Sequence, residues 1–493
     1  MDIAHLRSVL HRRRHLVWVA GAAVILVSGW AFVRFFTEGV VEYEDEVTQF
    51  KYGSAGGERA SGIPYAIWRA LPEVFSDLLP GPGYESLGFI YEPGRDLPVG
   101  VSERTIQGVR RVFLNCAVCH AGTVRDAPGS DRRVYVGMPA NTIDLQAFQR
   151  FLAACVVDER FTGERLVPVI ATMGTDDFLN RLALRYVGIP MMRERLLTLR
   201  QRFASFMDRA PPYGPGRFDT FNPPKVLLNF RMDLLPEEEW FGVCDFPSVW
   251  LQAPRRGLHL HWDGNNTSME ERNRSASFGA GALPTTLDRA AMRRTEKWLL
   301  DVPPPPYPYP IDHDLAQQGR ATYGRLCANC HGADGRDFSG ALVGKVTPID
   351  EIGTDRHRLD SYTHSLAVNQ GLLYAGFPDE RFRHFRKTNG YANQPLDGLW
   401  LRAPYLHNGS VPHLRALLEP AARRPAVFFR GYDVYDQANV GFVSTVASEN
   451  GRDFFRFDTA ERGNGNAGHE GTAYGTDLPA AEKNALLEYL KTF

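Results

Sequence analysis

The chain has 493 residues, too many for one compact core, so two or more folded regions are expected. Hydrophobic residues make up 44% and charged residues 23%, an ordinary folded composition that excludes long disordered or low-complexity tracts. A formal net charge of -1 comes with no basic face or stripe, which excludes nucleic acid and leaves small or neutral partners.

Residues 1–15 are basic, and 16–33, "LVWVAGAAVILVSGWAFV", are apolar and uncharged. A positive segment ahead of an apolar one is an export signal. The run is near the lower length limit for crossing a bilayer, and no small-x-small cleavage site precedes Arg34. The expectation is a signal anchor, an N-terminal transmembrane helix tethering the chain to the inner membrane. The rest would then lie in the bacterial periplasm; export with a cleaved signal is the alternative. Residues 34–60, rich in Gly and Ser, read as a stalk.

A first cytochrome-like region is expected over 61–301. "SERTIQGVRRVFLNCAVCH" reads as a short helix running into "CAVCH", with Ser102 as its cap. Helical periodicity covers 141–207, as in "DLQAFQRFLAACV". Residues 208–285 read as long ordered loops, and 287–301 as one more helix. "VPPPPYPYP" at 302–310 cannot continue a helix and marks the linker. A second region, 311–493, opens with "LAQQGRATYGRLCANCHG". It closes with "DLPAAEKNALLEYLKTF", where Asp477 reads as the cap and Leu486, Leu487 and Leu490 form an apolar stripe.

Four of the six cysteines, Cys116, Cys119, Cys327 and Cys330, lie in two CxxCH motifs. Zinc would need four ligands converging from pairs far apart, and a thioredoxin-like redox pair needs no following His. Covalent haem uses every part: each Cys adds to one vinyl group, and the next residue supplies the proximal imidazole. Two haem c groups are therefore expected, with His120 and His331 as axial iron ligands. Cys155 and Cys244 remain, either as a disulfide or as isolated thiols.

None of the nine methionines lies beyond Met292, so the second haem cannot take a Met ligand from its own region and should have a low potential. His469, on the Gly-rich loop "RGNGNAGHEGTAYGTDL", is the preferred sixth ligand; Tyr405 and His407 in "LRAPYLHNGSVPHL" are the alternatives. Near the first motif Met138 reads as a packing residue. "LHLHWDGNNTSMEERN" (258–273) crowds His259, His261, Trp262, Asp263, Asn265 and Asn266 together. Such a segment can line a haem pocket, relay electrons through an indole, or bind a cation, with Ca2+ the candidate ion.

Six stretches together carry a resemblance: "YGSAGGERASGIPYAIW", "YESLGFIYEPGRDLPVG", "NCAVCH", "HWDGNNTSMEERN", "LRAPYLHNGSVP" and "GHEGTAYGTDLPAAEKNALLEYLKTF". Over about 50–493 the chain resembles the di-haem c-type family of the rubber oxygenases, which cleave latex with dioxygen. That family is distantly related to bacterial di-haem cytochrome c peroxidases and to the methylamine-utilisation di-haem enzyme. The fold expected is mainly α, two class I cytochrome c-like domains with long inserted loops behind the transmembrane helix. The resemblance implies a first haem, on His120, with no protein ligand on its distal side and open to dioxygen. It implies a bis-histidine second haem on His331 and His469, a Trp between the haems (Trp262), and an apolar distal pocket containing Phe278.

The function expected is a di-haem oxidoreductase that activates dioxygen or peroxide at the first haem and uses the second in electron transfer. A peroxidase needs a proton-moving group, for which Glu270 and Glu271 are candidates. A small cytochrome or cupredoxin is the expected redox partner. The competing reading is a di-haem electron-transfer cytochrome without a substrate of its own.

Overall fold

The computed structural model describes residues 3–174 and 177–493. Residues 16–33 lie in a helix, Ile3–Phe36. Among the described residues no helix is long and apolar enough to cross a membrane, which overturns the transmembrane assignment. Ala20, Gly21, Ala22, Ala23, Ser28 and Gly29 dilute the run, and small residues contribute little to transfer into lipid. Helix accounts for 43% and strand for 13%.

The stretch 34–60, expected as a stalk, is folded into the body. Helices Glu46–Tyr52 and Gly57–Ser61 bury Phe50, Tyr52, Glu58 and Ala60. The expected helix before the first haem motif is instead a hairpin. Val101–Ile106 pairs antiparallel with Val109–Leu114, in the register Glu103↔Val112. Gln107 and Gly108 both take positive φ, +50° and +66°, the two-residue turn that matches strand twist. Ser102 caps nothing: it sits in the strand and donates to the buried Glu58 carboxylate. With Glu38–Val40 and Ile63–Pro64 outside them, these strands form a four-stranded antiparallel sheet; the other sheets among the described residues are two-stranded.

Behind this sheet lies an aromatic core. Trp68 from helix Tyr65–Val74 packs against Tyr84, Phe89 and Phe148, with ring centroids 4.2, 5.8 and 5.7 Å away. Phe148 comes from helix Leu145–Val157, whose start is capped by Asp144 accepting from Ala147 N at 2.8 Å.

The second haem motif follows helix His313–Leu326, capped by Asp312. The closing helix Ala480–Leu490 crosses it and buries Leu486, Leu487 and Leu490. At the crossing a Cβ on Gly319 would meet the Ala485 carbonyl oxygen at 2.0 Å, so only glycine lets the two backbones approach this closely. Asp477 does not cap the closing helix, whose N-terminal flank is Pro479; the Asp477 carboxylate accepts from Thr472 instead, 2.8 Å away. The 302–310 stretch has no helix or strand, and its Pro305 carbonyl accepts from the Trp400 indole at 2.9 Å.

Candidate functional site

Each CxxCH motif forms one helical turn, Ala117–His120 and Ala328–His331. The first is seated by buried Asn115, whose side chain accepts from Ala117 N and donates to the Lys51 and Gly53 carbonyls. In the second, the amides of Cys330 and His331 both donate to Cys327 O, at 3.1 and 3.0 Å. The two histidines are oriented alike. His120 Nδ1 donates to Pro247 O at 2.9 Å, and His331 Nδ1 donates to Gln394 O at 2.8 Å. A carbonyl can only accept, so each ring carries its proton on Nδ1 and keeps the Nε2 lone pair free for a metal. Burial pushes the His120 imidazole down to about 3 and lowers that of His331, which keeps both neutral. Burial likewise raises the thiols, Cys116 to about 11 and Cys327 to about 12.

The surroundings of the two histidines differ. The His331 and His469 rings face one another with centroids 6.1 Å apart. Two imidazoles bound through nitrogen to one iron, each about 2 Å from it, have centroids roughly 6 Å apart, so the gap is that of a shared metal. His469 Nδ1 is buried and has no hydrogen-bond partner, an orphan that a ligand would satisfy. The loop is built to hold this ring. Gly468 has φ +79° and its Cβ would strike the Gly353 backbone at 2.3 Å; His469 itself has φ +49°. Buried Arg424 ties the segment down by donating to the carbonyls of Asn466, Gly468 and His469. His120 has no comparable ring partner among the described residues.

The alternative ligands are engaged elsewhere. His407 stacks on Tyr391 with centroids 4.0 Å apart, and its Nε2 donates at 3.0 Å to the Tyr391 hydroxyl, whose own proton goes to Asp355 O at 2.7 Å. The Tyr405 hydroxyl donates to Leu399 O at 3.1 Å. Met138 is fully buried in the core with Val124 and Trp250.

A pocket partly open to solvent borders the segments that hold the two histidines. Its wall includes Pro247 and Gln394, the residues whose carbonyls hold His120 and His331, together with His261, Trp262, Met269 and Arg272. Trp262 joins the two anchoring segments. Its indole donates to Asp245 O at 2.7 Å, two residues from Pro247, and its carbonyl accepts from Ala392 N at 2.8 Å, two residues from Gln394.

Other expectations are not met. Phe278 does not line this pocket; it packs on Tyr374 and Phe382 with centroids 4.7 and 5.9 Å away. Buried Glu271 accepts from the amides of Arg383 and His384 and from His384 Nδ1, and Glu270 is exposed. Asp263 is committed to Arg358 at 3.1 Å, and among the described residues no group of three His, Cys, Asp or Glu gathers to hold a metal. Cys155 and Cys244 are both buried free thiols and do not pair. Cys155 belongs to the aromatic core, while Cys244 accepts from Arg358 at 3.0 Å. Sequence reasoning missed the Pro247 and Gln394 carbonyls and the Arg424 clamp. Main-chain acceptors leave no residue-type signal, and Arg424 stands in an unremarkable "AARRP" stretch.

Comparison with known proteins gives a coarse answer. A family described as RoxA-like, cytochrome c-like matches residues 390–429, the stretch that contains Gln394, Tyr405 and His407. The uncharacterized protein y4iM of Sinorhizobium fredii (strain NBRC 101917 / NGR234) is 30% identical over 304 residues, covering 53% of this chain and 68% of that protein. The uncharacterized protein y4iJ of the same organism is 25% identical over 610 aligned positions, covering 98% of this chain and 100% of that protein. A cytochrome c-like domain implies haem c. The side chains present fit that group: thiol pairs at vinyl spacing, neutral imidazoles held by carbonyls, and the His331–His469 gap.

Proposed function

Since the chain belongs to the family of the y4iM protein and is related to the RoxA family, we propose that it is a di-haem c-type oxidoreductase with two unlike iron sites. Cys116, Cys119 and His120 would hold the first haem, which would supply a site for a small oxidant, dioxygen or peroxide. Cys327, Cys330, His331 and His469 would hold the second, which would leave no place for substrate and suit it to electron transfer. When bound, the haems supply one-electron redox chemistry and, at the open face, a site for the oxidant.

The protein's own residues set the division. Pro247 O and Gln394 O fix the tautomer and direction of each proximal imidazole, which raises its basicity as a ligand. Trp262, hydrogen-bonded to both anchoring segments, is the electron relay between the sites. A small cytochrome or cupredoxin delivers electrons. The folded body lies outside the cytoplasm, where haem is attached to CxxCH motifs.

The single observation carrying this reading is the contrast between a histidine pair 6.1 Å apart at one motif and an unpaired His120 at the other. Electron paramagnetic resonance of the oxidised holoprotein, with carbon monoxide titration after reduction, tests it. One bis-histidine low-spin signal and one carbon monoxide per chain are expected. Two bis-histidine signals and no binding would make the protein an electron carrier instead.

A further inference from the structure

Residues 178–191 are apolar on both sides of their helix. Asp177 caps the start, its carboxylate accepting from Asn180 N at 2.8 Å. Helix Phe178–Ala183, a π-helical turn Leu184–Gly188 and helix Ile189–Met207 then follow without a break. On the inner side Leu184 and Ile189 are buried in the aromatic core with Leu166 and Ile170. Gly163 lets the neighbouring helix Gly163–Thr172 come close, since a Cβ there would meet Arg185 O at 2.7 Å. With the inner stripe packed in this way, the outer face of a surface helix is ordinarily charged. Here every exposed residue from 178 to 191 is uncharged. Phe178, Leu179, Tyr186, Val187 and Met191 are each more than half exposed, with Leu182 beside them. A helix apolar all round belongs in a covered place. Single exposed leucines need no cause, but a run about 20 Å long, at 1.5 Å per residue, marks a contact surface.

The charges bordering this face are almost all of one sign. Between 178 and 202 stand six arginines, Arg181, Arg185, Arg193, Arg195, Arg200 and Arg202, against one acidic residue, Glu194. Arg185 also reaches the exposed Glu164 at 3.3 Å. Arg193, Arg195 and Arg202 donate to the carbonyls of Val156, Ala60 and Val226, which orient a guanidinium without neutralising its charge. A twofold contact between two copies would set this patch against itself and arginine against arginine. An anionic surface meets the same border favourably. The apolar part is the outside of a single helix, which is convex and offers no groove for a partner's helix or strand. Phe178 and Tyr186 carry rings that settle at a lipid headgroup boundary, and arginine stems reach from apolar ground to water.

We propose that the 178–191 face and its arginine border form a membrane-surface docking site, which lays the protein on a bilayer containing anionic phospholipid without crossing it. The helix rests in the interfacial plane, its uncharged face at the acyl boundary and its arginines on lipid phosphates. This contact uses none of the residues assigned to the two haem sites, and it sets where the oxidoreductase works.

The test is co-sedimentation of the full-length holoprotein with vesicles of phosphatidylcholine mixed with phosphatidylglycerol, and with vesicles of phosphatidylcholine alone. Tighter binding to the mixed vesicles, weakened by salt, is expected. Leu179→Ser combined with Tyr186→Ser should loosen it at least about tenfold, and Arg200→Gln about fivefold, with the visible spectrum unchanged in each. If the double variant does not fold, Met191→Ser, expected to loosen binding about fivefold, takes its place. Wild-type protein that stays in the supernatant with both vesicles overturns the proposal. So does a double variant that binds within about twofold of wild type, because the contact then lies elsewhere on the chain. Equal affinity for the two vesicle types removes the anionic component and overturns it as well. A dimer that the double variant abolishes, without vesicle binding, assigns the face to a second copy instead.

Discussion

His469 and His407 are both closed in by protein, and burial holds both near a pKa of 3, yet they serve opposite ends. His407 spends its ring on Tyr391, whereas His469 Nδ1 has no partner and its ring faces His331. Replacing His469 by Gly should therefore remove the bis-histidine signal and raise carbon monoxide uptake from one to two per chain, while His407→Gln should change neither. His407 also sets a pH response. Its folded pKa, about 3, lies below the unfolded value of about 6.5, so between these values the unfolded chain binds the extra proton. Stability is fully present above about 6.5 and is lost as the pH falls toward 3, with a slope of up to about 1.4 kcal/mol per pH unit. Urea midpoints measured from pH 7 to 4 should fall more steeply for the wild type than for His407→Gln; equal slopes would sink the assignment.

At the scale of elements, the helix crossing around the second motif depends on one missing side chain. A Cβ on Gly319 would sit 2.0 Å from Ala485 O, so Gly319→Ala must push the opening and closing helices apart. Overpacking of this kind costs about 1–3 kcal/mol, and the melting temperature followed by circular dichroism should drop accordingly. This crossing was legible in sequence, because Leu486, Leu487 and Leu490 form a helical stripe and the CxxCH turn marks the end of the opening helix. The 101–114 hairpin was not. Its Arg- and Glu-rich strands alternate only weakly, and Gly108 was the one turn signal. The helix Met269–Gly279 was read as loop because "MEERNRSASFG" has almost no apolar periodicity; Ser268, accepting from Glu271 N, was the overlooked start signal. The iron ligands could be named from motif spacing, whereas the carbonyls orienting them could not, since any residue type supplies a carbonyl. Phe278 packs on Tyr374 and Phe382, a neighbourhood that helix periodicity in so polar a segment does not reveal.

Across the whole molecule, the two halves that carry the CxxCH motifs are joined by buried ion pairs. Asp433, 1% exposed, accepts from Arg125 Nε at 2.6 Å, Thr123 Oγ1 at 2.7 Å and Arg132 Nε at 2.9 Å. The backbone adds a two-way clasp, Arg125 N to Asp433 O and Tyr435 N to Arg125 O. Thr123 and Arg125 follow His120 almost directly, so this knot ties the second half to the strand leaving the first haem motif. The three donors do not count equally. Arg132 leaves 53% of its side chain in water, and an exposed arm contributes less than about 1 kcal/mol. Arg125 is 6% exposed and keeps Glu449, 2.7 Å away, when Asp433 is removed, but its Nε and the Thr123 hydroxyl then lose their buried acceptor, which costs about 1–3 kcal/mol for each group. Arg132→Ala should therefore be nearly silent, whereas Asp433→Ala should lower stability by several kcal/mol. Because the lost contacts span the halves, calorimetry of Asp433→Ala should resolve one cooperative transition into two, with the His469-dependent low-spin signal persisting through the first. A single transition merely shifted to lower temperature would mean that the halves are coupled chiefly elsewhere, with the Arg430–Asp245 pair at 2.9 Å the next contact to break.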